Sequence, residues 1–349
     1  MYELAGKKVL ITGAAGTIGA ALARELAQGG RWQGVELVGI DNNESQLFSI
    51  SRELAGNASC RFIYGDIRDR DTLLRECRGV DVILHTAALK HVSICESAPY
   101  EAVKTNLIGV QNIVEAAFAH GVQRVLLTSS DKAVNPTSNM GASKLLGEGL
   151  ITAANRQAGA AGLRFSCTRF GNVLGSNGSV IPIFREQILA GRDITLTDRG
   201  MTRFIMSTQD AVDLVLDSAC MARGGEIFVT KMPVIKIADL AEVMRDGLAP
   251  HHPAGRPTSR IVETGMQAGE KLYEELMTSH EARRALELEK YYVILPPDQW
   301  PLSSPASSYP GIVSTTVTDS YSSETGPFMG ATDLLAFLRC NDLLTGADH

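Results

Sequence analysis

No apolar run in this 349-residue chain approaches the ~18 residues that a helix needs to cross a bilayer, which excludes a membrane-spanning helix. The six cysteines, Cys60, Cys77, Cys95, Cys167, Cys220 and Cys340, form no CxxC pair. Their scatter fits neither a disulfide framework nor a zinc site and reads as reduced thiols. Positive charge is in short supply: 33 Lys and Arg stand against 39 Asp and Glu, for a net charge of -6. No basic stripe gathers the cations, so nucleic acid and anionic membranes are poor partners. The opening MYELAGKKVLITG lacks the charged region, apolar run and cleavage site of a signal peptide. Together with the thiols it predicts a cytoplasmic protein. His251 and His252 stand in a loop, HHPAGRP, without a carboxylate or cysteine cluster nearby. They are expected to be solvated, and no metal is predicted.

What is present is a hydrophobic share of 44%, ample for a sizeable core. The first half alternates β-rich runs with helix-length segments. The strand candidates are KKVLITG (7–13), VELVGID (35–41), RFIYGDI (61–67), VDVILHTA (80–87), RVLLTSS (124–130) and RFSCTRFGNV (164–173). Near-continuous apolar runs of this kind suit parallel strands buried on both faces. Between them lie helix patterns such as TIGAALARELAQ and EAVKTNLIGVQNIVEAAFAH. The alternation predicts an α/β fold, a doubly wound parallel sheet of the Rossmann type over residues 1–173, with 206–233 returning to it. After residue 174 the pattern loosens. VIPIFREQILAG reads as a helix, ITLTD and TRFIMS as short strands, and helices follow at about 208–221 and 236–248. EKLYEELMTSHEARRALELEK reads as an amphipathic helix. Residues 174–205 and 234–300 are expected to form a smaller α/β substrate lobe. The Ser-, Thr- and Pro-rich run at 302–326 predicts a loop-rich tail over 301–349, closed by a short helix near ATDLLAFLR.

TGAAGTIG, residues 12–19, follows the first strand and opens the first helix. Gly13, Gly16 and Gly19 permit a tight turn, close approach of backbone to a pyrophosphate, and close helix–strand packing. Backbone amides at the helix start, around Thr17 and Ile18, and the helix dipole then hold phosphates. The strand before the motif and the helix after it make the dinucleotide reading strong. Asp41 ends the second strand, 22 residues after Gly19. An acidic side chain there accepts hydrogen bonds from ribose hydroxyls and repels a 2′-phosphate, so NAD is predicted rather than NADP. The alternative is that Asp41 caps the following helix. Asp66 and Ile67 end the third strand, where adenine contacts fall. Ala87 and Ala88 end the fourth and are small enough to let a cofactor pass.

The blocks GAAGTIG, DNNE, GDIRD, HTAALKHV, ESAPYEAVKTNLIGVQN, SSDKAVNPTSNMGASK, RFGNVLGSNGSVIPIF, GMTRF and GEKLYE stand in one order over about residues 7 to 295. In them the chain resembles the extended short-chain dehydrogenase/reductase superfamily. More closely, it resembles the inverting UDP-N-acetylglucosamine 4,6-dehydratases, the polysaccharide biosynthesis proteins of bacterial surface-glycan pathways. The membrane-spanning segment of the family's long members is absent. The resemblance implies a hydro-lyase with tightly bound NAD: oxidation at C-4, loss of water across C-5 and C-6, and hydride return to C-6. It maps the catalytic Ser/Thr-Asp-Lys onto Ser130, Asp131 and Lys132, and the usual YxxxK onto Met140 and Lys144, as in a subset of the family that carries Met.

Met140 has no proton to give. Family analogy makes Lys132 the C-5 base and Asp131 the acid for the 6-hydroxyl. Lys132 is further expected to accept the 4-hydroxyl proton, directly or through a water. Ser130 is expected to hydrogen-bond the 4-hydroxyl, Met140 to pack against substrate or nicotinamide, and Lys144 to bind the nicotinamide ribose. Lys90 and Asn106 join the implied cofactor contacts. The implied substrate set is Lys90, His91, Asn172, Val180, Arg203, Glu270 and Lys271, with Asn172 and the forked donors of Arg203 on the diphosphate. Relatives pair through helices that would be 98–119 and 140–157 here, so a homo-oligomer, dimer or hexamer, is expected. A UDP-sugar epimerase of the same superfamily and an inactive NAD-binding sensor or scaffold stand as alternatives.

Overall fold

A computed structural model describes residues 2–176, 178–248, 259–266, 269–299 and 309–344. His251 and His252 lie outside the described residues. The contacts divide the chain into two compact units. One is Met1–Phe170, Gln209–Lys231 and Leu276–Ser320; the other is Gly171–Thr208, Met232–Glu275 and Tyr321–His349.

In the first unit, the six apolar runs of the first half form strands: β1 Lys8–Thr12, β2 Glu36–Asp41, β3 Cys60–Tyr64, β4 Val82–His85, β5 Arg124–Ser130 and β6 Arg164–Phe170. They lie in the order 3-2-1-4-5-6 with every neighbouring pair parallel. This is the doubly wound Rossmann order, in which ligands bind beyond the carboxyl ends of the strands where the order reverses. At that end β1 runs into Gly13, β4 into Thr86, and β5 into Asp131. β1 and β4 are buried along nearly their whole length, as strands covered on both faces must be.

The sheet continues beyond β6 to ten strands. Ile227–Thr230 adds in parallel, and Tyr291–Ile294, Ala285–Leu288 and Ile312–Ser314 follow as antiparallel strands. This corrects one expectation. The segment 270–290 is not one helix: Glu275–Met277 is a strand, Thr278 caps a one-turn helix Ser279–Ala282 through a capping box, and Ala285–Leu288 is a strand again. Good helix formers there yield to pairing with Tyr291–Ile294. Where it is described, the tail is loop between two short strands and closes in the helix Ala331–Cys340, and its first strand packs on the first unit's sheet. Ile312–Ser314 edges the sheet, and buried Tyr309 donates a 2.6 Å hydrogen bond to the carboxylate of buried Glu226. The units accordingly divide at Leu276 and Tyr321, where the sequence suggested 300.

In the second unit, Thr202–Met206 lies between Val234–Lys236, antiparallel, and Asn172–Val173, parallel. Ile194–Leu196 pairs with Ile261–Glu263. The helices Val180–Leu189, Ile237–Leu248 and Ala331–Cys340 close one apolar core around Phe184, Ile205, Leu240, Met244 and Leu334. No helix among the described residues is long and apolar enough to cross a membrane, and no group of three or more metal-ligating side chains gathers among them.

Candidate functional site

The glycine loop is built by backbone proximity. Gly13 has φ +70°, and a Cβ there would stand 2.7 Å from the Ala87 nitrogen. A Cβ on Gly19 would stand 2.0 Å from the Gly13 carbonyl oxygen, so only glycine lets the Thr17–Ala27 helix start against its own loop. Gly16 is its N-cap and brings no capping side chain. First-turn amides have no acceptor within a helix, and the positive end of the dipole adds to them, which suits phosphate. Asp41 accepts from the Ala15 amide at 2.9 Å and the Asn43 amide at 2.8 Å, bracing the loop from the end of β2. The cap of the next helix is Asn43, which accepts from the Gln46 amide, so the capping alternative for Asp41 falls away. These features fit a dinucleotide held by its pyrophosphate and ribose.

The remaining cofactor candidates are positioned more variously. The Asp66 carboxylate is held by Arg68 and by Asn42. Ile67 is buried and its carbonyl accepts from Asn112. Ala88 is half-buried, while Lys90 and His91 are exposed. The Asn106 amide is engaged within the protein. It accepts from the Leu89 amide and donates to the Leu89 carbonyl and Ser143 Oγ, so it braces the 87–91 segment against the Asn139–Ala158 helix.

The end of β5 gathers the residues of greatest chemical interest. Ser130 Oγ donates to Asp131 Oδ1 at 2.6 Å and accepts from the Lys132 amide at 3.2 Å. Lys132 Nζ donates to that same Oδ1 at 3.0 Å. Asp131 is fully buried, and its Oδ2 has no hydrogen-bond partner among the described residues. The Lys132 side chain keeps 28% of its surface. Protons therefore reach Asp131 through Ser130 Oγ or Lys132 Nζ.

The helix Asn139–Ala158 carries Met140 and Lys144 past this turn. Ser138 caps it, and Glu96 accepts from both the amide and the side chain of Asn139. Met140 is 2% exposed and packs with Cys95 and Ala102 in a small apolar cluster. Lys144 is buried, and its Nζ donates to the Thr128 carbonyl at 3.0 Å. Burial pushes its pKa down to about 8, with Glu148 one turn on opposing the shift.

Sequence reasoning passed over His85, at the end of β4. It is fully buried, its Nδ1 lies 2.6 Å from Thr12 Oγ1, and burial, with Lys144 second, drives its pKa down to about 3. It is neutral at ordinary pH and ties β4 to β1 beside the glycine loop. A buried histidine in an apolar run carries no outward sign of its partner. Gly141 was also missed. A Cβ there would lie 2.2 Å from the Lys132 carbonyl oxygen, so the helix start sits directly on the Ser130–Lys132 turn.

In the second unit, Asn172 pairs with Ile205, and Val180 opens a helix whose inner face joins the core. Arg203 is buried and donates to the carbonyls of Thr202, Lys271 and Leu272, with Glu274 at 3.9 Å. Its guanidinium thus ties the segment that contains Lys271 to the central strand. Glu270 precedes that segment and is half-buried.

A doubly wound sheet with this strand order and this glycine loop defines a Rossmann-fold protein of the extended short-chain dehydrogenase/reductase type. The chain matches the polysaccharide biosynthesis protein family over residues 9–296, and it belongs to that family. It is 39% identical over 293 residues to a UDP-N-acetylglucosamine 4,6-dehydratase (inverting) of Campylobacter jejuni, covering 83% of each chain. It is 36% identical over 288 residues to a UDP-glucose 4-epimerase of Rickettsia rickettsii, covering 82% of each. Among solved structures, Pen from Bacillus thuringiensis superimposes with a TM-score of 0.89 at 37% identity, covering 98% of this chain and 99% of that one. DesIV, a dTDP-glucose 4,6-dehydratase of Streptomyces venezuelae solved with NAD and TYD bound, superimposes with a TM-score of 0.67 at 26% identity, covering 76% and 86%.

Proposed function

We propose that the protein is an NAD-dependent nucleotide-sugar 4,6-dehydratase that converts UDP-N-acetylglucosamine to a UDP-2-acetamido-2,6-dideoxy-4-hexulose with inversion at C-5. The observation that carries this reading is the hydrogen-bonded set Ser130–Asp131–Lys132 at the end of β5, beside a buried Met140 that can move no proton. The glycine loop and Asp41 are the residues that would hold NAD, which supplies reversible hydride storage when bound.

The sequence alone pointed to Lys132 as acceptor of the 4-hydroxyl proton. The 2.6 Å bond from Ser130 Oγ to Asp131 supports another route. The 4-hydroxyl gives its proton to Ser130 Oγ as Ser130 passes its own to Asp131. Asp131 becomes a buried carboxylic acid. With Lys132 as the free amine, Lys132 takes the C-5 proton and Asp131 returns its proton, through Ser130 or Lys132, to the departing 6-hydroxyl. C-5 then takes a solvent-derived proton on the opposite face while Lys132 loses its own proton to solvent. Two protons leave the sugar and two are returned, one of them within the water, so the count closes. Lys144 is assigned the nicotinamide ribose, and Arg203 the positioning of the segment around Lys271.

Incubation with UDP-N-acetylglucosamine in deuterated water, without added reductant, tests the reading. The expected product has lost one water and gained one deuterium at C-5. The relation to the Rickettsia epimerase favours a 4-epimerase as the second reading. That activity would give a C-4 epimer of unchanged mass with no deuterium, and this result would displace the dehydratase.

A further inference from the structure

The first unit holds a cavity of about 320 Å3 at the start of β5 and β6, lined by Tyr2, Gln123, Arg124, Ala161 and Arg164 among others. β5 is seven residues long, which sets this corner about 20 Å from Ser130 at the other end of the strand. Arg124 and Arg164 are direct partners in the parallel register. Neighbouring strands lie about 5 Å apart, and like charges set side by side destabilise a sheet.

No carboxylate forms an ion pair with either guanidinium among the described residues. Arg124 donates to the Ala222 carbonyl and Arg164 to the carbonyl of Leu163. Arg124 Nε is buried with no hydrogen-bond partner among the described residues. Its guanidinium plane lies over the Tyr2 ring at 4.1 Å. The two acids whose charges bear on this corner are held by other groups. Asp81 accepts from the Lys8 amide and Gln123 and stands 3.7 Å from Lys7 Nζ. Glu226 accepts from Tyr309, Ser166 and the amides of Arg223 and Gly224.

A concave corner with two forked cations, one buried donor and no counter-charge matches the planar, bidentate chemistry of an oxyanion. We propose that this cavity is a binding site for a phosphate group, clamped between Arg124 and Arg164. Inorganic phosphate and the phosphate end of a nucleotide share this chemistry. The site stands apart from the strand ends that carry Ser130 and Lys132, so its occupant does not compete with a nucleotide sugar there.

The test uses the full chain with saturating NAD+ and UDP, so that phosphate added afterwards does not report on those sites. Thermal unfolding and isothermal titration are followed against inorganic phosphate, with chloride at matched ionic strength as the control. The expected result is a saturable rise in Tm with phosphate and none with chloride. Arg164→Gln and, independently, Ala161→Glu at the exposed rim should weaken that response by about tenfold or more while NAD content and turnover stay unchanged. Arg164→Gln should also be at least as stable as the parent in phosphate-free buffer, because it relieves the repulsion. UMP is titrated in parallel. Competition with phosphate for the variant-sensitive response identifies a nucleotide phosphate as ligand, and indifference to UMP identifies the free anion. A phosphate response of equal size in parent and both variants, or no saturable response in the parent, overturns the proposal.

Discussion

Met140 stands where a proton donor is usual in this superfamily, and its side chain is engaged in packing against Cys95 and Ala102. A volume-conserving change there should matter little. Met140→Leu is expected to cost under about 1.5 kcal/mol and to keep its turnover, measured by urea unfolding and by product formation. Ser130→Ala removes the hydroxyl that the proposed route places between Asp131 and the sugar, and kcat should fall by about 10²–10⁴ with NAD content unchanged. Full activity in that variant would exclude the Ser130 route. Lys144 adds a pH signature. Its folded pKa of about 8 lies below the ordinary value of 10.5. Between those two values the unfolded chain binds more protons, so stability contributed by this group rises with pH across that window and is level below it. The gain is on the order of 3 kcal/mol. Wild-type protein should therefore gain on Lys144→Met between pH 8 and 10 in chemical unfolding; parallel curves would refute the assignment.

At the scale of elements, the Asn139–Ala158 helix is held against the Ser130–Lys132 turn by the absence of one side chain. Gly141→Ala would drive a methyl to within 2.2 Å of the Lys132 carbonyl, so helix and turn must part. Activity should be lost while far-ultraviolet circular dichroism still reports a folded chain; retained activity would mean that the turn tolerates the shift. The six strands of the first half were legible because each is a short apolar run between turn signals, and five of them are buried for most of their length, the edge strand β3 being the exception. The glycine loop was legible because its spacing is a backbone requirement. The segment 270–290 was not. Its Ala, Leu, Glu and Arg favour a helix locally, and only a partner strand, Tyr291–Ile294, makes Ala285–Leu288 extended. Ser130, Asp131 and Lys132 could be named from the chain. That Asp131 is sealed behind its two neighbours depends on residues distant in sequence and could not.

Across the molecule, the first unit is knotted internally by one cation. Arg169, 2% exposed, pairs bidentately with Glu148 and again with Glu281, and donates to the Leu276 carbonyl. It joins β6 to the Asn139–Ala158 helix and to the turn after Thr278. Removing it strands the buried carboxylate of Glu148 and the largely buried one of Glu281, so Arg169→Met should cost about 3–5 kcal/mol in denaturant unfolding, and a loss below 1 kcal/mol would show that the carboxylates find other partners. The same unit exposes Tyr100, Val103, Ile108, Leu145 and Leu146 along the segments 98–119 and 140–157. We expect these to cover one another in a homo-oligomer. Leu146→Glu should lower the mass seen by sedimentation, and an unchanged mass would place the contact elsewhere.

The ten-stranded sheet is also a schedule. A chain leaving the ribosome completes β6 at Phe170, but the strand that lies beside it, Ile227–Thr230, is translated only after the next 56 residues, 171–226. At ~5–20 residues per second, the nascent protein carries a bare, apolar sheet edge for several seconds, and the last three strands arrive later still. The segments translated in that interval belong largely to the other unit. Synthesis therefore interrupts one folding task to begin a second. A chain stopped near residue 173 would keep its glycine loop and its Ser130–Lys132 turn, and would be left with an open edge ready to pair with its neighbours.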